Sequence, residues 1–444
     1  MRTAVVLLTR DLRVRDNPAL AAACANAERV VPLYVLDPKL ADLSPNRTRF
    51  LYQSLADLRA TIRSKGGDLV IRRGDPVAET IRLAREVSAE GIAVAADVST
   101  YASRRVRRLE QECATHRMSL RQFPGVTVVE PGRVRPGGGS DHYRVFSPFH
   151  RAWAAATWRD EVAVPDRITL PENLSTGRMP TIPRGESPDA LAGGEAEGHR
   201  RATAWLRNVA DYDDVHDDLP ADGTSRLSAY LRFGCVSPLA LARTVRELPG
   251  PGPEAFVRQL CWRDFYYQVT AAFPNISTAA YRTTGDVDWR DDQDALQHWK
   301  DGMTGVPVVD AGMRQLRAEG YMHNRARLIT AAFLTKHLGI DWRPGLKWFF
   351  RWLNDGDVAN NSGNWQWVAG TGNDTKPYRR FNPIRQAERF DPDGVYVRRY
   401  VPELKTIEGK AVHQPWRLPE AQRRGLDYPE PLESHRDEAV WLRP

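Results

Sequence analysis

Short apolar, β-branched runs alternate with helical patterns over the first 125 residues. Ala4 to Leu8, Val30 to Leu36, Leu69 to Ile71, Ile92 to Ala95 and Leu120 to Phe123 read as strands, and Arg47 to Lys65 and Tyr101 to His116 as helices. That alternation predicts a Rossmann-like α/β domain, a parallel sheet flanked by helices. No G-x-G-x-x-G follows the first strand, so the ordinary dinucleotide fingerprint is missing and any ligand there binds differently. From Pro124 to about Arg200 the pattern gives way to Gly, Pro and Ser, including Gly137 to Gly139 and Ser175 to Gly198. This predicts an interdomain connector with one pinned aromatic island, Tyr143 to Trp153. Helical periodicity returns after Arg200, with Gly320 and Gly339 as helix stops and Pro344 near a helix start. The expected organisation is an α/β domain over 1–125, a connector over 126–199 and an all-helical domain over 200–444.

The helical half contains one unusual stretch, Asp355 to Trp367 (DGDVANNSGNWQW). Asp355 and Asp357 flank Gly356, which can turn the chain, and Asp357 can cap a helix beginning at Val358. On that helix Asn361 and Trp365 are four apart and share a face. An amphipathic helix with tryptophans in the core explains the pattern in part. Consecutive amides beside two indoles also suit a heterocycle that needs stacking and edge hydrogen bonds together.

Composition narrows the classes. A chain of 444 residues exceeds a single core, so two domains are expected. A net charge of +7 alongside abundant acids indicates a basic patch, compatible with a phosphate-rich partner. Cys24, Cys113, Cys235 and Cys261 lack CxxC spacing, which signals neither a disulfide framework nor a metal site and fits a reducing cytoplasm. The apolar run at Ala4 to Leu8 is too short for a signal peptide or membrane span, so a soluble, cytoplasmic protein is expected.

Three further segments carry candidate chemistry. Thr224, Ser225, Arg226, Leu227 and Ser228 precede a helical run, where hydroxyls and amides form either an anion site or a plain cap. Gln259 to Tyr266 (QLCWRDFY) brings Gln259 and Trp262 within one helical turn, beside Arg263 and Asp264. Such a group reads a base and a phosphate, or is a buried ring beside an ion pair. Tyr321 to Arg327 (YMHNRAR) adds Asn324, Arg325 and Arg327, with His323 more simply a satisfied core residue.

Together with VDAGMRQL at Val309 to Leu316, RRFNP at Arg379 to Pro383 and TRDLRVRDNPAL at Thr9 to Leu20, these segments resemble the photolyase and cryptochrome flavoproteins in order and spacing. The resemblance covers nearly the whole chain and is closest to bacterial cyclobutane pyrimidine dimer photolyases of the first class. It implies a bent FAD in the helical domain, held by Tyr212 and Thr224 to Ser228 around the phosphates and ribitol. It also implies Asp355, Gly356 and Asp357 at the isoalloxazine, ribityl and adenine edges, Arg327 paired with Asp355, and Asn361 facing flavin N5. Trp365, Trp342 and Trp289 align with the family's electron-carrying tryptophans. The implied activity is light-driven repair of UV-damaged DNA by electron transfer from reduced FAD to an extruded dimer. Trp262 and Trp367 would stack on the dimer, Gln259 and Asn324 would bond its edges, and Arg325, Arg379 and Gln386 would meet the DNA. A monomer is expected.

The segment around Asp97 and Tyr101 (DVSTY) resembles members that hold 8-hydroxy-5-deazaflavin as a light-harvesting pigment, with methenyltetrahydrofolate or no pigment as alternatives. Two positions depart from the dimer-repairing pattern: Gln259 stands where Glu is usual, and Leu328 where Met is usual. Enzymes for (6-4) photoproducts often carry Gln there, but they also need histidines at the positions of Asn324 and Leu328, and both are missing. A cryptochrome-type blue-light receptor shares the flavin and the tryptophans and remains the alternative class.

Overall fold

The computed structural model describes residues 1–41, 43–282, 288–373 and 381–432. Five strands, β1 (Thr3–Leu7), β2 (Arg29–Leu36), β3 (Val70–Arg73), β4 (Gly91–Ala95) and β5 (Ser119–Phe123), form one sheet in the order β3-β2-β1-β4-β5 with every pair parallel. Val5 on β1 faces Val31 on one side and Ile92 on the other, and all three are buried. The helices Pro45–Ser64 and Thr100–Thr115 begin on Ser44 and Ser99, whose hydroxyls accept the N–H of Arg47 and Ala102. The chain runs outward from β1 in both directions, so the strand order reverses between β1 and β4. Parallel sheets open a crevice at the carboxyl ends of their strands at such a point.

The described chain forms two compact units, Met1–Gly185 with Leu191–Ala210 and Ser225–Asn275, and Glu186–Ala190 with Asp211–Thr224 and Ile276 onward. This division differs from the expected boundaries at 125 and 200, because buried polar anchors tie the connector and two later helices to the sheet. The Arg13 guanidinium, fully buried, donates to the carbonyls of Gly125 at 2.9 Å and Gly234 at 3.0 Å. Asp264, on the helix Pro251–Ala272, accepts the N–H groups of Val128 and Val129 and the Trp153 indole, each at 2.9 Å. The aromatic island is a helix, Phe146–Ala155, inside the expected connector. Thr176 also covers the outer edge of β3, its carbonyl accepting from Ile71 at 2.9 Å.

The second unit is helical among its described residues, apart from one isolated bridge between Arg290 and Ile340. Gly320 ends the helix Pro307–Glu319 in the left-handed conformation, φ 59°. Asn324–Ala332 continues into a π turn, Phe333–His337, and Gly339 follows with φ 70°. Trp299, Trp342, Phe349 and Trp365 lie in one buried apolar cluster.

Candidate functional site

The helix Val358–Ala369 starts where the sequence places it. Asp357 accepts the Asn360 N–H at 2.8 Å, and the helix ends on Gly370, φ 82°. Gly356 makes the preceding turn without entering the left-handed region, its N–H donating to Leu353 at 3.2 Å. Asn361 and Trp365 project from one face. The Asn361 Nδ2 donates to the Leu346 carbonyl at 3.2 Å. A carbonyl can only accept, so that contact fixes the amide and leaves Oδ1 as the acceptor offered to a ligand.

Arg327 and Asp355 form a two-pronged ion pair, Nη1 to Oδ1 at 3.2 Å and Nη2 to Oδ2 at 2.8 Å. Arg327 Nε also donates to the Met322 carbonyl at 2.8 Å, which holds the guanidinium in place. Burial works against its charge, but Asp355 outweighs burial and raises the Arg327 pKa. Tyr212 is buried in this same unit, and burial pushes its phenol up. Thr224 Oγ1 and the Tyr321 hydroxyl are 3.0 Å apart. Ser225, Arg226, Leu227 and Ser228 belong to the first unit. The helix there, Ser228–Phe233, is a short one capped by no side chain, and Ser225 Oγ instead accepts the Leu227 N–H at 3.3 Å. Arg226 takes φ 51° and Leu227 is right-handed, a succession that turns neighbouring N–H groups to one side and favours an anion.

Trp365 and Trp342 are buried, and Trp289 is partly buried against the same core. Gly345, one turn along from Trp342, lets Trp365 approach the backbone of the helix Trp342–Trp352: a Cβ on Gly345 would lie 2.3 Å from Trp365 Cη2. The Phe349 ring meets Trp365 edge-on at 4.9 Å. Neither Trp365 nor Trp342 has an acceptor for its buried Nε1 among the described residues.

Gln259 and Trp262 lie one turn apart on Pro251–Ala272, with Gln259 exposed and Trp262 half-buried. Arg263 and Asp264 take the structural reading instead. Arg263 donates to the Val126 carbonyl at 2.6 Å, and burial pushes Asp264 up to about 6 despite Arg263 beside it. In the second unit Asn324 is exposed at the start of its helix, and His323 caps that helix, accepting the Arg325 N–H at 3.2 Å. The Arg325 guanidinium is paired with Asp217 and lies 4.2 Å from the Phe390 ring centroid, so its charge is already compensated. Trp367 is half-buried beside Phe381, and Gln386 has its Oε1 buried without a partner. Arg379 lies outside the described residues.

In the sheet crevice Asp97 pairs with Arg10 at 3.3 Å, and the Tyr101 hydroxyl donates to Asp37 at 2.6 Å. Thr9 Oγ1 and Arg105 Nε are buried there without hydrogen bonds, and burial pushes the Tyr34 phenol up to about 12. Orphaned polar atoms at a switch point are what a bound polar ligand would satisfy. Sequence reasoning missed Thr9, Arg105, Leu346 and Gly345. Of these only the β1-to-β4 crossover carried a signal, since a residue just after a first parallel strand points into that crevice.

Comparison with known proteins identifies relatives over nearly the whole chain. Residues 4–167 match the DNA photolyase family, and residues 256–441 match the FAD binding domain of DNA photolyase. A deoxyribodipyrimidine photo-lyase of Streptomyces griseus is 48% identical over 439 residues, covering 97% of this chain and 96% of its own. The crystal structure of a bacterial class III photolyase from Agrobacterium tumefaciens superposes with TM-score 0.92 at 34% identity, covering 98% of this chain and 95% of its own. An archaeal photolyase from Sulfolobus tokodaii, solved with two FAD molecules, superposes with TM-score 0.86 at 28% identity, covering 97% of this chain and 96% of its own. The chain carries both family regions over most of its length, and it belongs to the photolyase/cryptochrome family.

Proposed function

We propose that this protein is a deoxyribodipyrimidine photo-lyase that takes a cyclobutane pyrimidine dimer out of duplex DNA and opens its ring in light. The observation that carries the reading is the Trp262 and Gln259 pair: a half-buried indole with an exposed amide one turn away. Stacking on the indole and hydrogen bonding to the amide suit an extruded pyrimidine, and a lesion that stacks and pairs poorly costs least to extrude. FAD, when bound and reduced, would supply the electron that opens the dimer ring and would recover it afterwards. The chain's residues orient and compensate. Asn361 would offer its Oδ1 to the flavin ring and Arg327 would neutralise Asp355 beside it, while the turn at Arg226 in the first unit favours an anion. Trp365, Trp342 and Trp289 pass electrons inward when FAD must first be reduced.

Gln259 can bond a thymine edge but cannot donate a proton as an acid, and neither Asn324 nor Leu328 supplies the histidine that (6-4) repair needs. We therefore assign the dimer as the lesion. Asn324 and Trp367 are proposed as further dimer contacts, and Arg325, Arg379 and Gln386 as DNA contacts, with the Arg325 charge shared with Asp217. Protein carrying reduced FAD should restore dimer-containing oligonucleotides under blue light and not in the dark, and leave (6-4) oligonucleotides unrepaired. Absence of light-dependent dimer repair overturns the assignment.

The sheet crevice holds a second chromophore in this reading. Thr9, Tyr34, Asp97, Tyr101 and Arg105 line the switch point, and the pigment proposed is 8-hydroxy-5-deazaflavin. Denaturing extraction and an absorption spectrum distinguish it from a folate or a second FAD. Four free cysteines fit a reducing cytoplasm, and the protein is proposed to act there as a monomer. No helix among the described residues is long and apolar enough to cross a membrane.

A further inference from the structure

We propose that Phe146 is a positioning residue for lesion recognition: it backs one face of the Trp262 indole, so the platform is held in advance and offers a single open face to the extruded dimer. The inference rests on the reading of Trp262 as that platform. The two rings are stacked almost coplanar, with centroids 3.7 Å apart and planes at 3°. Phe146 is itself buried, on the helix Phe146–Ala155. Behind it His150 stacks at 5.6 Å and 24°, and Arg258 lies 5.7 Å from the Phe146 centroid. Burial and then the Arg258 charge lower the His150 pKa, so the ring behind Phe146 is neutral at pH 7.

Two contacts set the indole from its own helix. Phe265 meets its edge at 5.6 Å and 87°, and Tyr266 lies tilted by 32° at 5.8 Å. Among the described residues no second ring stacks on Trp262, and the indole is only half-buried. A half-buried indole without that backing would turn about its side-chain torsions and present either face. Ordering it would then fall to the binding step. Phe146 removes this cost, and it also bars a base from entering between the two rings. Undamaged duplex, whose bases stay stacked, does not use the open face. The backing therefore acts on discrimination between damaged and intact DNA.

The test uses the FAD-loaded full chain in the dark, with fluorescence anisotropy on a dimer-containing duplex and the matched undamaged duplex. Phe146→Leu should weaken dimer binding by roughly 3- to 10-fold, the range an aromatic pair or one immobilised side chain is worth. Affinity for undamaged duplex, FAD content and photoreduction rate should stay at wild-type levels. Phe146→Tyr should restore discrimination. Phe146→Met keeps volume and apolarity without a flat ring, and carries the same expectation if the Leu variant fails to fold. In a Trp262→Leu background the Phe146 substitution should change nothing further. An unchanged ratio of damaged to undamaged affinity in Phe146→Met overturns the proposal, as does an equal loss with and without Trp262. A Trp262→Leu protein that keeps full discrimination overturns the platform reading itself, and Phe146 with it.

Discussion

The Arg327 and Asp355 pair holds a carboxylate that is nearly buried, and Arg327→Leu tests how much the fold depends on it. The Asp355 side chain is 8% exposed and that of Arg327 is 25% exposed. Removing one partner of a buried pair strands the other charge, at a cost of about 3–5 kcal/mol. Water reaches a quarter of the Arg327 side chain, which places this case lower, at about 2–4 kcal/mol. The Met322 carbonyl also loses its donor, a loss of about 1 kcal/mol that lies within that range. The double variant Arg327→Leu with Asp355→Asn should be more stable than the single one, because no unpaired carboxylate remains. Urea unfolding followed by tryptophan fluorescence reads both, as a lower midpoint at unchanged slope. FAD content should fall in the single variant. A midpoint within about 0.5 kcal/mol of wild type, or a double variant no better than the single, refutes the reasoning.

Gly345→Ala places a Cβ 2.3 Å from Trp365 Cη2 and 2.6 Å from Leu334 Cδ2, so overpacking should cost about 1–3 kcal/mol. An unchanged melting temperature would show that the helix slides freely. Asp264→Asn should alter the pH dependence of stability. Burial raises the folded Asp264 pKa from 3.8 to about 6, so its favourable contribution is complete below about pH 4 and is lost as pH rises through about 6. The amide keeps the acceptor for Val128, Val129 and Trp153, and the difference from wild type should grow between pH 4 and 6 by on the order of 3 kcal/mol. A constant offset across that window counts against a raised pKa. Dimer binding should weaken linearly in log salt with no dependence on flanking sequence, and a flat salt response would remove the phosphate contacts.

What the sequence made legible follows the range of the interactions involved. Strands of the sheet and the helix capped by Asp357 depend on neighbours in the chain, so apolar period and one capping carboxylate were enough to find them. The unit boundary depends on long-range anchors. Arg13 and Asp264 hold segments more than 100 residues away, and neither differs in sequence from any exposed charge. Likewise the site's carboxylate and amide were visible as types, but their orientation was not. That Asn361 turns Oδ1 outward depends on the Leu346 carbonyl fifteen residues earlier, and a backbone acceptor has no sequence signature. Arg325, read as a phosphate contact, is paired with Asp217 across 108 residues of chain. Free and paired arginines look alike until the fold is known.

The tryptophans separate packing from function most sharply, because packing alone gives no reason to keep a buried indole N–H without an acceptor. Trp299 is a core residue in the ordinary sense: it is buried, and its Nε1 donates to the Thr330 carbonyl at 3.0 Å. Trp342 is equally buried and has no acceptor among the described residues. An unpaired buried donor costs about 1–3 kcal/mol, and phenylalanine would fill much of the same space without it. A side chain retained only for packing would therefore be improved, or left unchanged, by Trp342→Phe. If Trp342 instead relays electrons, the same variant should melt within about 1 kcal/mol of wild type yet photoreduce oxidised FAD more slowly, while chemically reduced enzyme repairs dimers at the normal rate. The orphan N–H alone does not identify a relay, since Trp348 shares it outside the matched triplet. Stability and photoreduction must therefore be measured on the same variant. A fold that holds while photoreduction also stays unchanged returns Trp342 to the core, and a fold that holds while photoreduction slows leaves electron transfer as the reason for the indole.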